Sequence, residues 1–189
     1  MQKKLTDRQN EIVDAALHLI AENGMGNLTI RHLSRALNVT DAALYYHFHD
    51  KLEIVQALVG RFEAEADKGE KLRGWAAVEA AIVRRTELVL AAPDLARVMF
   101  AEELFQGDPE VEKILFGMMQ RHREAMIGHL QEAMEAGEIR RNIPLDTLFR
   151  MIIGPLRLLI KQWGMSGHAF DLSAECQKLL DGLRSVLKN

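Results

Sequence analysis

Apolar residues recur along nearly the whole chain at spacings of three and four, the period of a helix with one buried face. The strict alternation of a strand is almost absent. In the first helix Ile12, Val13, Ala16, Leu19 and Ile20 form the apolar stripe, Thr6 and Gln9 make a capping box, and Gly24 stops it. A short second helix runs from Ile30 to Leu37, with Ile30, Leu33, Ala36 and Leu37 on one face. Thr29 is its N-cap, and Leu28 and Leu33 are placed as a hydrophobic staple. Asn38 follows; asparagine accepts left-handed backbone angles more readily than most residues and ends a helix sharply. Val39 and Thr40 repeat the staple and cap with Leu44, so a third helix starts at Asp41 and ends near His47. Asp50 and Glu53 form an Asp-x-x-Glu capping box that opens a fourth helix, from Lys51 to near Ala66.

The polar run Asp67-Lys-Gly-Glu-Lys is the expected joint between two parts. Beyond it the pattern predicts helices over Trp75–Ala91, Leu95–Phe105, Pro109–Ala136, Leu145–Met165 and Leu172–Leu187. Pro93-Asp94 and Asp108-Pro109 start two of them, and Gly107 and Gly137 end two. Gly154-Pro155 falls inside an apolar helix and is expected to kink it. The expected fold is all-α, about nine helices in total: an N-terminal three-helix helix-turn-helix domain over residues 1–50, and a C-terminal helical bundle over 51–189.

Composition narrows the function. The chain has 189 residues and a formal net charge of −3, so no global basic field draws it to nucleic acid. Six basic residues (Lys3, Lys4, Arg8, Arg31, Arg35, Lys51) balance six acidic ones (Asp7, Glu11, Asp14, Glu22, Asp41, Asp50) over residues 1–51. Affinity for DNA must then come from local placement of cations and from two copies acting together. Cys176 is the single cysteine, which excludes an internal disulfide and a cysteine-based zinc site and suits a reducing cytoplasm. The start Met-Gln-Lys-Lys-Leu-Thr lacks a signal-peptide core, and Arg150, Arg157 and Lys161 interrupt the longest apolar stretch, so no membrane partner is expected. Glycine-rich phosphate loops, His-Glu-x-x-His and Glu-x-x-His motifs and a paired Cys–His are all missing; the reading is not an enzyme, with no cofactor and no metal.

The second and third helices, three residues apart and followed by an aromatic-rich end, have the layout of a helix-turn-helix DNA reader. The string Leu44-Tyr45-Tyr46-His47-Phe48-x-x-Lys51 resembles a signature of the tetracycline-repressor (TetR) family, and three small helices before about six longer ones are similar to its members. The resemblance is specific over roughly residues 8–55; Asn38 departs from it, standing where the family usually carries glycine. It implies that Leu44 and Phe48 anchor the reading helix. It also implies phosphate contacts from Thr29, Tyr45, Tyr46, His47 and Lys51, and Thr40, the N-cap of the reading helix, belongs to the same DNA-binding set. Base reading would fall to Arg31, Asp41, Ala42 and Tyr45. The chemistry agrees: hydroxyl, imidazole and ammonium groups donate to phosphate, Arg31 suits guanine, Asp41 suits cytosine N4, and Ala42 suits a thymine methyl. Asp41 has a competing use, capping its own helix and repelling phosphate.

Met119, His122, Met126 and His129, at offsets of 3, 7 and 10, share one face of the Pro109–Ala136 helix. Core packing, the wall of an apolar small-molecule pocket and a soft-metal or haem site all remain open for them. The resemblance places Phe100 and Leu104 on a helix that links such a pocket to the DNA-reading part; with Met151 they complete the expected effector pocket. The last two helices are more apolar than outer helices need to be. In the family that pair forms a four-helix dimer interface, here Gly154, Leu159, Trp163, Leu179, Gly182, Leu183 and Val186, with closure of the core as the competing use.

The resulting expectation is a cytoplasmic, homodimeric transcription regulator, a repressor that binds a palindromic operator in double-stranded DNA and is released by a small-molecule effector. Two rivals stand beside it: a DNA-bound adaptor controlled by a protein partner, and a helical haem or metal protein.

Overall fold

The computed structural model describes residues 5–66, 72–98 and 107–188. Among them are nine α-helices and no strand: α1 Asp7–Asn23, α2 Ile30–Ala36, α3 Asp41–Tyr45, α4 Lys51–Ala66, α5 Gly74–Ala91, α6 Asp94–Val98, α7 Pro109–Glu135, α8 Leu145–Met165 and α9 Leu172–Leu187. The polar joint at 67–71, Lys3, Lys4 and most of the helix expected over Leu95–Phe105 lie outside the described residues. α3 is shorter than its pattern suggests, since Tyr46 and His47 turn out of the helix.

The chain separates into two compact units. One holds the residues up to Ala64 with Arg97–Met118; the other holds Glu65–Ala96 with Met119 onward. In the first, Ile12, Val13, Ala16 and Ile20 of α1 are wholly buried, and Leu33, Leu44, Phe48 and Ile54 are buried with them. Leu17, not Leu19, completes the α1 stripe. Thr6 and Gln9 form the reciprocal capping box, and Gly24 ends α1 at φ 73°, a backbone angle that a Cβ resists. Arg61 of α4 pairs with Asp14 of α1 at 2.7 Å.

In the second unit α5 packs on α9 and α8, and α8 on α9. Val78, Ile82, Leu130, Leu148, Ile152, Leu156 and Ile160 form its core. Pro155 stands inside α8 and leaves the Met151 carbonyl without its helical donor. The start of α5 has no side-chain cap of its own. Glu132 and Glu138, at the end of α7, substitute for one by accepting the N–H groups of Gly74 (3.1 Å) and Trp75 (2.8 Å), and Arg73 adds its guanidinium to Glu132. Gly74 has φ +58°, which favours glycine, and a Cβ there would push the Glu138 carboxylate away from its place on the Trp75 N–H.

Candidate nucleic-acid interface

The helix pair is built by short-range chemistry. Thr29 Oγ1 accepts the His32 N–H at 3.1 Å and starts α2; Thr40 Oγ1 accepts the Ala43 N–H at 3.2 Å and starts α3. Between them Asn38 takes φ 53°, and the Val39 N–H returns to the Ser34 carbonyl at 2.9 Å. The last turn of α2 is thereby closed and the chain redirected. Leu28, Leu33 and Leu44 are buried, and Val39, the other member of the second staple, is half-buried.

Two side-chain contacts fix α3 against the rest of the unit. Ser34, a buried polar residue on α2, donates its hydroxyl to Asp41 Oδ1 at 2.5 Å. Gln9 of α1 donates to the His47 carbonyl at 3.2 Å. Leu44 and Phe48, 1% and 2% exposed, hold the other side of the turn. The helix is therefore braced at its start, middle and end.

What this leaves outside is an arc of side chains, most of them donors. Thr29, Arg31, Thr40, Asp41, Ala42, Tyr45 and Tyr46 are exposed, and His47 and Lys51 are half-buried. Tyr46 is 87% exposed and meets the His47 ring edge-on at 5.1 Å. An aromatic left so open on a folded surface is available to a partner. Arg35, one turn beyond Arg31 and also exposed, adds a cation that the sequence reading used only in its charge count.

Two placements refine the residue roles. Asp41 is held by Ser34, so its carboxylate serves the α2–α3 geometry. Lys51 Nζ lies 2.5 Å from Asp108 Oδ2, at the cap of α7. That ammonium, together with the Val111 N–H, holds the Asp108 carboxyl below its ordinary range. Sequence reasoning missed Ser34 and Asp108 as partners. Ser34 carried a signal, a hydroxyl beside Leu33 on the buried side of α2; the Lys51–Asp108 contact carried none, because 57 positions (51 to 108) separate the two.

Of the expected effector residues, Met126 is buried, His122 and His129 are half-buried, and Met119 and Met151 are exposed. Phe100 and Leu104 lie outside the described residues. Of the expected dimer residues, Trp163 and Leu183 are packed inside their own bundle; the Trp163 indole donates to the Phe170 carbonyl at 3.0 Å. Leu159 and Leu179 are half-buried, and Gly154, Gly182 and Val186 are exposed.

A braced two-helix reader with an outward arc of hydroxyl, imidazole, phenol and guanidinium groups, ahead of a separate helical unit, defines a DNA-binding transcription regulator. Residues 12–58 match the family of bacterial regulatory proteins called tetR, and residues 48–184 match the C-terminal region of YsiA-like proteins. The chain belongs to the TetR family, whose members are ligand-responsive DNA-binding regulators and not enzymes. It is 25% identical over 192 aligned positions to the fatty acid metabolism regulator protein of Bacillus subtilis, with 99% of each chain covered. The structure of the regulator FadR from Bacillus subtilis in complex with stearoyl-CoA superposes with a TM-score of 0.75 at 25% identity, covering 95% of this chain and 98% of that one. The fatty acid degradation regulator FadR from Bacillus halodurans superposes at 0.77 with 22% identity, covering 96% and 97%. No described helix is long and apolar enough to cross a membrane.

Proposed function

We propose that the protein is a cytoplasmic, homodimeric repressor that leaves a palindromic operator when its C-terminal part binds a long-chain acyl effector. Residues 1–50 contact DNA; residues 51–189 dimerise and hold the effector. Thr29, Thr40, Tyr45, Tyr46, His47 and Lys51 donate to phosphates, and Arg31, Ala42 and Tyr45 read bases. Asp41 contributes through its Ser34 brace. Met119, His122, Met126, His129 and Met151, with Phe100 and Leu104, belong to the effector region.

The observation that carries this reading is the end-to-end likeness to a fatty acid metabolism regulator, combined with a reading helix whose polar side chains point outward. Mechanistically, two reading helices address adjacent major grooves only when they stand about 34–36 Å apart. An effector that fits better at another spacing lowers operator affinity by its differential affinity for the two states.

The test is an operator selected from random duplexes, titrated by fluorescence anisotropy with and without saturated acyl-CoA thioesters. The expected outcome is a high-affinity palindrome whose binding weakens about ten- to hundred-fold on adding the thioester. An operator complex that ignores every acyl chain length, yet dissolves with a protein fraction from the same cell, would transfer the role to a protein partner.

A further inference from the structure

His49 lies in the turn between α3 and α4, between His47 and Lys51, two of the phosphate contacts proposed above. Phe48 is buried, and the imidazole that follows it is 92% exposed. The ring is nevertheless fixed in orientation. Glu53 Oε2 accepts the His49 backbone N–H at 2.6 Å and lies 3.0 Å from the ring atom Nδ1. These two contacts, the backbone one first, hold the Glu53 carboxyl below its ordinary range. An ionised carboxylate only accepts, so Nδ1 must carry the hydrogen. The neutral ring then keeps its lone pair on Nε2, the nitrogen left to solvent.

A lone pair cannot bond a phosphate oxygen, which is itself an acceptor. An N–H on the same atom can, with charge assistance. Local charge points the same way. Asp50 Oδ1 accepts the Glu53 N–H at 2.8 Å, so two carboxylates stand at the start of α4. Both oppose a phosphate brought to this edge, and an imidazolium paired with Glu53 offsets one of them. The other charged or titratable groups on the elements that meet the turn are few. Tyr45, Tyr46 and His47 precede it, and Lys51 is engaged with Asp108 at the cap of α7. Helix α1 reaches the turn through Gln9 and brings Asp7 and the Arg8–Glu11 pair.

We propose that His49 is a further phosphate contact of the DNA reader, made only by the protonated ring, so that operator binding takes up a proton on each copy. This rests on the interface reading above and deepens it, adding a residue and a condition to the same surface. Imidazole ordinarily gains its proton between about pH 5 and pH 8. Because the complex prefers the protonated ring, affinity rises as pH falls through that range, and bound DNA in turn holds the proton more tightly.

The experiment titrates the selected operator by anisotropy at about pH 6 and about pH 8, at equal ionic strength, with full-length wild type, His49→Gln and His49→Lys. Wild type should bind about ten-fold tighter at the lower pH. His49→Gln should lose most of that response and bind weakly at both values, whereas His49→Lys should lose it and bind tightly at both. At the lower pH the salt slope of wild type should exceed that of His49→Gln by about one per reading helix, and at the higher pH the two slopes should match. A wild type without a pH response overturns the proposal, as does a response that survives in both variants, which would belong to His47 or another group. Equal slopes at the lower pH, with only the melting temperature altered, would make the His49–Glu53 pair structural and overturn it as well. Lys51→Ala, measured in parallel, separates this failure from that of the interface reading. If the slope falls in Lys51→Ala but not in His49→Gln, His49 alone leaves the interface; if it falls in neither, the whole turn lies off the DNA.

Discussion

Asn38 shows how one backbone angle controls the reader. At φ 53° a residue with an ordinary Cβ is strained by about 1–2 kcal/mol, and asparagine reduces that penalty without abolishing it. Asn38→Ala should therefore lower the unfolding free energy by about 1 kcal/mol in a urea titration, and Asn38→Gly should leave it level or slightly higher. An alanine variant as stable as wild type would mean that the turn relaxes to another conformation. At Arg31 the expectation concerns specificity. Arg31→Ala should relax preference at one operator position by about 1–3 kcal/mol and leave the others as they are. Operator selection repeated with the variant measures this directly, and a uniform loss over all positions would reassign Arg31 to phosphate.

Between elements, two polar contacts carry testable consequences. Lys51 at the start of α4 is engaged by Asp108 at the start of α7, so a phosphate must compete with a carboxylate for the same ammonium. Asp108→Asn should tighten binding to all duplexes and steepen the dependence on salt, whereas Lys51→Ala should weaken it and flatten that dependence. Salt slopes from anisotropy titrations decide; equal slopes in both variants would remove Lys51 from the interface. At the foot of α5, the Gly74 N–H and then Arg73 hold the Glu132 carboxyl below its ordinary value of 4.5. A carboxyl whose pKa is lowered by folding adds stability above its unfolded value and loses it as pH falls through the folded one. Glu132→Gln should melt below wild type at neutral pH, with the two curves converging as pH falls below 4.5 and through the lowered folded value. Parallel curves would show that the charge contributes nothing. Helices of this kind were legible where their signals are local. Thr6, Thr29, Thr40, Asn38 and Gly24 act through bonds to residues at most four or five positions away, and their elements fall where the pattern puts them. The ends of α8 and α9 also agree, because their apolar stripes are long. What the pattern does not disclose is long-range: the Glu132 and Glu138 cap on α5 and the Lys51–Asp108 pair. The reciprocal half of the Asp50–Glu53 box likewise went elsewhere; Glu53 accepts the His49 N–H at 2.6 Å, one residue earlier than the motif specifies.

For the molecule as a whole, the proposed repressor depends on pairing two copies, and the outer faces of α8 and α9 are the surfaces proposed for it. Met151, Leu158 and Met165 are exposed at intervals of seven on α8; on α9 half-buried Leu179 and exposed Val186 are also seven apart. Seven is the repeat of a helix seam. Gly154 and Gly182 each sit three residues into that repeat, and a Cβ added at either meets nothing within 4 Å of its own protomer. Trp163 and Leu183 already pack inside the bundle, so the proposed pairing falls to the outward rows and not to those two. This separates association from folding. Gly154→Arg and Gly182→Arg each place a long cation in open space on the protomer and gain about 1 kcal/mol of helix propensity, so the isolated chain should fold at least as well as wild type. Against a second copy the same side chain brings an unpaired charge into an apolar seam. The double variant should sediment as a folded monomer and bind one half-site as wild type does. On the full palindrome it should lose about a hundred- to ten-thousand-fold in affinity, because the second reading helix is no longer delivered by the first. A double variant that stays dimeric, or a monomer that retains full palindrome affinity, would move the pairing surface away from α8 and α9.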